Sequence, residues 1–124
     1  MLEESAFGSF SVKDIKEAQE FYGKTLGLDV EEVKMPEGME LLRLKFKNGT
    51  EFLIYPKPDH QPATHTVLNF EVEDVSKVVR ELKRKGIRFE HYDGNDEDEV
   101  SRSPEHEAAW FKDPAGNFLS VMSH

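Results

Sequence analysis

The hydrophobic positions of the chain change period several times, and each change predicts a new element. Near-alternation predicts strands, whereas apolar residues spaced by three and four predict the buried face of a helix. In the first half, a helix beginning after Asp14 and ending at Gly27 is flanked by alternating segments. The Asn48-Gly49 pair is typical of a tight hairpin turn between two strands. The predicted strands of this half are 7–12, 28–33, 39–46 and 51–55.

The same order of elements recurs after residue 62. Phe10–Ile15 matches Phe70–Val75, and Leu26–Leu28 matches Lys85–Ile87 around a helix-ending glycine. A repeated unit that cannot bury both faces of its own sheet needs a second copy to cover it. We therefore predict one α+β domain over 1–124, with two tandem βαβββ modules forming a curved, half-barrel mixed sheet and with helices outside. The modules span about 6–57 and 65–124, and the strands of the second are 66–72, 87–92, 108–112 and 118–122.

Composition and charge narrow the possible functions. The 124 residues include no cysteine, which excludes disulfides and thiolate chemistry, and the net charge is -9. That charge argues against binding to nucleic acid or to an anionic membrane surface. No apolar run approaches the roughly 18 residues of a membrane span. The N-terminus has no basic segment followed by an apolar one, so we expect no signal peptide and a cytoplasmic location.

Three motifs add a family resemblance to the repeat. They are the FxVxD signature at Phe10–Asp14 and Phe70–Asp74, FYGKTLGL at Phe21–Leu28, and AWFKDPAGN at Ala109–Asn117. With these motifs, essentially the whole chain resembles the vicinal-oxygen-chelate superfamily of glyoxalase I, bleomycin-resistance proteins and extradiol dioxygenases. The resemblance implies paired βαβββ modules and a homodimer that completes the binding site.

The resemblance also implies where a metal would bind. Metal-dependent members hold a divalent ion with His and Glu at about four strand positions, where the ion acts as a Lewis acid. In this chain those positions fall on Phe7, Leu53, Val67 and Ser120. Three of these side chains cannot bind a metal and serine is a poor ligand. We therefore expect no metal and no cofactor, and we expect a small hydrophobic or cationic molecule as the ligand.

If these four positions face a binding cavity, strand alternation predicts that the residues two positions away from each of them face it as well. Trp110, beside the DPAGN turn, adds a surface on which a flat ligand can stack, or else a core side chain. The alternative for the whole set is a half-barrel filled by its own side chains. The candidate ligand-binding residues are Phe7, Ser9, Leu53, Tyr55, Val67, Asn69, Trp110, Phe118, Ser120 and Met122.

Two further hypotheses stay open. Glu51 and His65 could form an acid–base pair or a displaced metal pair in a lyase or isomerase of the glyoxalase I type, although both could equally lie in water at strand ends. The chain could also be an interaction module without a ligand. The acidic segment 93–105 lacks the glycine and the final carboxylate of a calcium loop. We expect it to be a solvated loop whose length suits a lid, with Arg102 available to an anionic ligand.

Overall fold

The computed structural model describes all 124 residues, and they divide into two compact units, Met1–Pro62 and Ala63–His124. The first unit contains strands β1 (Gly8–Val12), β2 (Asp29–Lys34), β3 (Glu40–Lys45) and β4 (Glu51–Pro56), and helix α1 (Ile15–Gln19), which continues as a π-helix (Glu20–Thr25). The second contains helix α2 (Val75–Arg84) and strands β5 (Thr66–Glu71), β6 (Ser101–Arg102), β7 (Glu107–Lys112) and β8 (Phe118–Ser123).

The two units have the same topology. The strand order is β1-β4-β3-β2 in the first sheet and β5-β8-β7-β6 in the second. In each sheet the first strand runs parallel to the last, and the other pairs are antiparallel. Each helix packs on two strands of its own sheet. The predicted α+β fold with two tandem βαβββ modules is confirmed. No helix has the length and apolar character required to cross a membrane.

Helix boundaries follow from local chemistry at both copies of the repeat. The Asp14 carboxylate accepts the N–H groups of Lys16 and Glu17 at 3.0 and 3.1 Å, which satisfies donors left free at a helix start. Asp74 caps α2 in the same way, through the N–H of Lys77 at 3.1 Å. Gly27 and Gly86 have φ of +73° and +93°, a conformation that glycine adopts without steric cost and that commonly ends helices.

The core of each unit lies between its helix and one face of its sheet. In β1, Phe10 and Val12 are buried while Ser9 is exposed, as expected for a strand with one face covered. The Phe10 ring lies 6.0 Å from the ring of Tyr22, which follows α1 in the chain. In the second unit, Phe111 lies 5.2 Å from Phe89. The opposite face of each sheet carries no helix, and the candidate residues Ser9, Leu53, Asn69, Trp110 and Ser120 lie there.

The strand predicted at 87–92 is wrong. Only Phe89 pairs with β7, through an isolated bridge to Phe111, and the pairing resumes at Ser101 opposite Ala108. Ser101 follows Phe89 by twelve residues, whereas their partners on β7, Phe111 and Ala108, are only three residues apart. Nine extra residues therefore loop out at this edge of the sheet. We call residues 91–100 the excursion. The alternating burial of Ile87 and Phe89 resembles a strand, but the sheet pairing that would extend it is interrupted by this loop.

Candidate functional site

Three candidate residues lie side by side on the open face of the second sheet. Asn69, Ser120 and Trp110 are register partners on β5, β8 and β7. The Ser120 hydroxyl donates to Asn69 Oδ1 at 2.6 Å. The indole N–H of Trp110 donates to Thr66 Oγ1 at 3.1 Å, and this bond fixes the orientation of the ring. Because these polar atoms bond to one another, the ring of Trp110 contributes chiefly apolar surface to this face.

A cavity of about 410 Å³ opens beside Trp110. The rings of Tyr92 and Trp110 meet edge to face, with centroids 5.7 Å apart and an interplanar angle of 89°. Asp93, Asn95 and Ser101 complete the lining. The cavity therefore combines an aromatic corner with one carboxylate, one amide and one hydroxyl, and no cationic side chain lines it. Such a surface can hold a flat apolar group and can attract a positive charge.

The excursion supplies three of the five lining residues, Tyr92, Asp93 and Asn95. Asp96 holds this segment in place because its carboxylate accepts several hydrogen bonds. Burial alone would raise the pKa of Asp96, but the N–H of Val100, the guanidinium of Arg102 and the N–H of Asp98 hold the pKa below its usual value of 3.8. The carboxylate is therefore charged at neutral pH. The prediction that the acids of this segment are solvated is therefore wrong for Asp96, Asp98 and Glu99, which are paired.

The first unit presents a different surface on its open face. Ser9, Leu53, Arg43 and Glu31 are successive register partners there. Arg43 pairs with Glu31, and Arg43 Nε also lies 3.6 Å from Glu51 Oε1. Hydrogen bonds from Arg43 and then from Lys45 hold the pKa of Glu31 below its usual value. Charged groups that satisfy one another therefore occupy this face.

The other predicted residues of the first unit lie on or near β1 and β4. Phe7 precedes β1 and is 69% exposed, and Ser9 is also exposed. Leu53 and Tyr55 are half-buried neighbours of Ser9 and Ser11.

In the second unit, a bulge changes the expected alternation. The register of β5 against β8 shifts between Thr66 and Leu68, so Val67 falls at the irregularity. Thr66 is the β5 residue whose side chain accepts the hydrogen bond from Trp110. Phe118 is half-buried, with Lys112 Nζ 4.9 Å from its ring centroid. Met122 lies in a separate groove with Glu71 and neighbouring residues.

The two acid–base candidates lie in different units of the chain. Glu51 faces Arg43 in the first unit. His65 is exposed and immediately precedes β5 in the second unit. Arg102, which was considered for an anionic ligand, is instead engaged by Asp96, Glu107 and Ser76. Of the cavity lining, the sequence predicted only Trp110 by name, although the position of the acidic segment indicated a neighbouring wall.

Comparison with known families agrees with this architecture. A family model described as the Glyoxalase/Bleomycin resistance protein/Dioxygenase superfamily matches residues 7–121. The chain belongs to this superfamily. A search of the curated proteins finds no match.

Several solved structures share the fold. A glyoxalase family protein from Enterococcus faecalis is 21% identical with a TM-score of 0.73, and the alignment covers 98% of each chain. TnmS3, an antibiotic-binding protein from Streptomyces sp. CB03234, is 24% identical over 99% of this chain and 98% of its own, with a TM-score of 0.74. A glyoxalase/bleomycin resistance protein from the same organism is 25% identical over 94% of this chain and 98% of its own, with a TM-score of 0.67.

The metal of metal-dependent superfamily members does not fit the residues of this chain. The four expected positions carry Phe7, Leu53, Val67 and Ser120, which supply no carboxylate and no imidazole. The Ser120 hydroxyl is already bonded to Asn69. Nowhere in the 124 residues do three or more His, Asp or Glu side chains gather as they would around an ion. The donor set of this chain therefore differs from that of the metal-dependent members.

Proposed function

We propose that this protein binds a small hydrophobic or cationic molecule, without a metal, against Trp110 in the cavity of the second unit. The observation that carries the proposal is the aromatic corner of Trp110 and Tyr92 beside the Asp93 carboxylate. An aromatic face attracts a cation through its quadrupole, and a nearby carboxylate adds charge attraction. The volume of about 410 Å³ falls within the ordinary range of small-molecule sites.

Two further observations support the proposal, one for its metal-free part and one for its small-molecule part. The residues at the expected ligand positions cannot hold the metal. The small-molecule part of the proposal is supported by TnmS3, which has the same fold and is named an antibiotic-binding protein. We further propose that the protein works in the cytoplasm, since its N-terminus lacks the pattern of a signal peptide, and that it is a homodimer, as the family resemblance implies. Sedimentation at micromolar concentration should then give a species heavier than the 14.3 kDa monomer.

A fluorescence titration tests the proposed site. Proflavine, a planar aromatic cation, is the probe, and anthracene-2-sulfonate is its anionic counterpart. Trp110→Leu removes the aromatic face, and Arg43→Leu changes the register-equivalent residue of the first unit. We expect proflavine to bind the native protein more tightly than the sulfonate. We expect Trp110→Leu to weaken proflavine binding about tenfold or more, because stacking and cation–π contact are lost.

The control separates a specific site from general attraction by the acidic protein. Arg43→Leu should bind proflavine at least as tightly as the native protein, since it removes a positive charge far along the chain from the cavity. Equal affinity of the native protein and Trp110→Leu would contradict the proposed site. Calorimetry with nickel, zinc and manganese supplies the second test, in which tight stoichiometric binding of any of the three would contradict the metal-free proposal.

A further inference from the structure

The excursion folds upon itself around one carboxylate. Asp96 Oδ1 accepts the N–H groups of Asp98 and Val100 at 2.9 and 3.0 Å. The Asn95 side-chain amide donates to the carbonyl of Glu99 at 3.1 Å, and Val100 is only 1% exposed. Because its own side chains and backbone satisfy one another, this segment has a defined conformation next to the cavity.

Arg102 connects this fold to the rest of the unit. Its Nε and Nη2 reach Asp96 Oδ2 at 3.0 and 2.7 Å, which places two donors of the guanidinium fork on one carboxylate. The same Nη2 donates to Ser76 Oγ on α2 at 2.8 Å. Nη1 bonds to Glu107, the first residue of β7. One side chain therefore ties the excursion to the helix and to the strand that carries Trp110.

A second group of ion pairs fixes the far side of the excursion to α2. Lys83 Nζ lies 2.6 Å from Glu99 Oε2, and Arg80 Nη1 lies 3.5 Å from Asp98 Oδ2. Glu99 has φ of +62°, the only positive value among the non-glycine residues of the chain. A residue of this kind keeps such a backbone only where its surroundings hold it. The excursion is thus held at two places on the same helix.

We infer that Arg102 is a positioning residue of the cavity, which holds the excursion as a pre-formed wall so that Asp93 and Asn95 stand beside Trp110 before a ligand arrives. The predicted effect on ligand affinity, the ligand arm of this inference, rests on the proposed function. The predicted effect on the conformation of the excursion, its geometric arm, does not. A pre-formed wall saves the ordering cost that a mobile loop would incur on binding. Arg102 therefore affects affinity without lining the cavity.

The geometric arm is tested without any ligand. Trp110 is the only tryptophan, so its fluorescence reports on the cavity alone. Arg102→Gln removes the fork, and Arg84→Gln removes the same charge from an exposed position at the end of α2. We expect Arg102→Gln to raise the acrylamide quenching constant about twofold and to speed amide exchange at Asp98 and Val100 about tenfold, through local opening. Arg84→Gln should match the native protein in both.

The variant series keeps the test decisive. Asp96→Asn keeps the shape of the partner side chain and removes its charge, so it should reproduce the effects of Arg102→Gln. Arg102→Lys should fall between native and Gln, because an ammonium group cannot reproduce the fork. Far-UV circular dichroism checks that each variant is folded. Native quenching and exchange in folded Arg102→Gln would overturn the inference, whatever the ligand.

Proflavine titration forms the ligand arm. We expect Arg102→Gln to bind the dye about tenfold more weakly than Arg84→Gln, chiefly through faster dissociation. If no variant binds proflavine but quenching still rises in Arg102→Gln, the proposed ligand fails and the positioning role stands. If native and Arg102→Gln bind the dye equally while Trp110→Leu does not, the proposed function stands and the positioning role is overturned.

Discussion

Arg43 and Trp110 stand at the same place in the two copies of one fold. Arg43 is the register partner of Leu53 on the last strand of its sheet, and Trp110 is the partner of Ser120. Arg43 pairs with Glu31 across the sheet, so its face is closed by charges. Trp110 has an apolar ring at that position and borders a cavity. The duplicated backbone therefore does not decide the chemistry of its open face.

The edge strands of the two sheets make a second difference. β2 pairs with β3 without interruption from Asp29 to Lys34. The corresponding edge of the second sheet contains nine additional residues between Phe89 and Ser101. Those residues bring Tyr92 to the edge of the Trp110 ring. A cavity thus arises where a loop replaces an edge strand and an aromatic side chain replaces an ion-paired one.

The largest expected difference between the units is in how much a side chain of the hairpin turn contributes to the free energy of unfolding. Buried Asp113 accepts the N–H groups of Ala115 and Asn117 at 2.9 Å and the side-chain amide of Asn117 at 3.0 Å. Asp113→Ala should lower the free energy of unfolding by about 3 kcal/mol, since buried donors lose their partner. In the corresponding turn of the first unit, the exposed Asn48 side chain accepts one hydrogen bond, from the N–H of Thr50. Asn48→Ala should therefore lower the free energy of unfolding by less than about 1 kcal/mol. Urea unfolding of both variants measures the contrast, and equal costs would contradict it.

Most of the fold could be predicted because its signals are local. Asp14 and Asp74 begin helices, Gly27 and Gly86 end them, and strand alternation marks one buried face, so each could be recognised within a few residues. The strand at 87–92 failed because its side chains alternate correctly while its pairing depends on a distant partner, β7. Sequence alternation cannot reveal where such a pairing stops.

The site was only partly predictable, for a related reason. Trp110, Ser120 and Asn69 lie on regular strands, so alternation indicates their shared face. Tyr92 and Asn95 lie on an irregular segment without periodicity, and their approach to Trp110 follows from contacts remote in sequence. A bulge moved the β5 contact to Thr66, a shift of one residue that no period-two pattern contains.

Removing the looped-out residues should make the β6 edge of the second sheet resemble the uninterrupted β2 edge of the first sheet. Deletion of residues 92–100 would place Ser101 in continuous register with Phe89 along β7, as β2 lies along β3. We expect the variant to fold, because loop closure becomes easier while one small buried side chain, Val100, is lost. Proflavine affinity should fall about tenfold or more, since Tyr92, Asp93 and Asn95 leave the cavity.

The control for this deletion is the fold itself. Far-UV circular dichroism and urea unfolding should show a cooperative protein, and amide exchange should show protection at 90–91 and 101–102. Retained proflavine affinity in a folded deletion variant would place the binding surface elsewhere. It would also contradict the interpretation that the excursion is the reason why the second unit has a binding cavity.

Acidification should have the smallest effect, which is measured as Trp110 quenching. It distinguishes the ion pairs around Asp96 from those around Glu31. The pKa of Asp96 lies below the usual 3.8, so the stabilisation that its charge provides is complete above that range and is lost as the pH falls through the lower, folded-state value. Acrylamide quenching of Trp110 should therefore stay constant from about pH 7 to pH 5 and rise only below about pH 4. The charged groups around this segment are Arg102, which pairs with Asp96 and Glu107, and Arg80 and Lys83, which pair with Asp98 and Glu99.

Glu31 provides the internal comparison, because its pKa is lowered in the same direction by Arg43 and Lys45. Its protonation weakens the ion pairs that Arg43 and Lys45 make in the first unit. Glu31→Gln should therefore leave the acid rise in Trp110 quenching unchanged, whereas Asp96→Asn should show high quenching already at neutral pH. Loss of the acid rise in Glu31→Gln would contradict the assignment of that rise to Asp96.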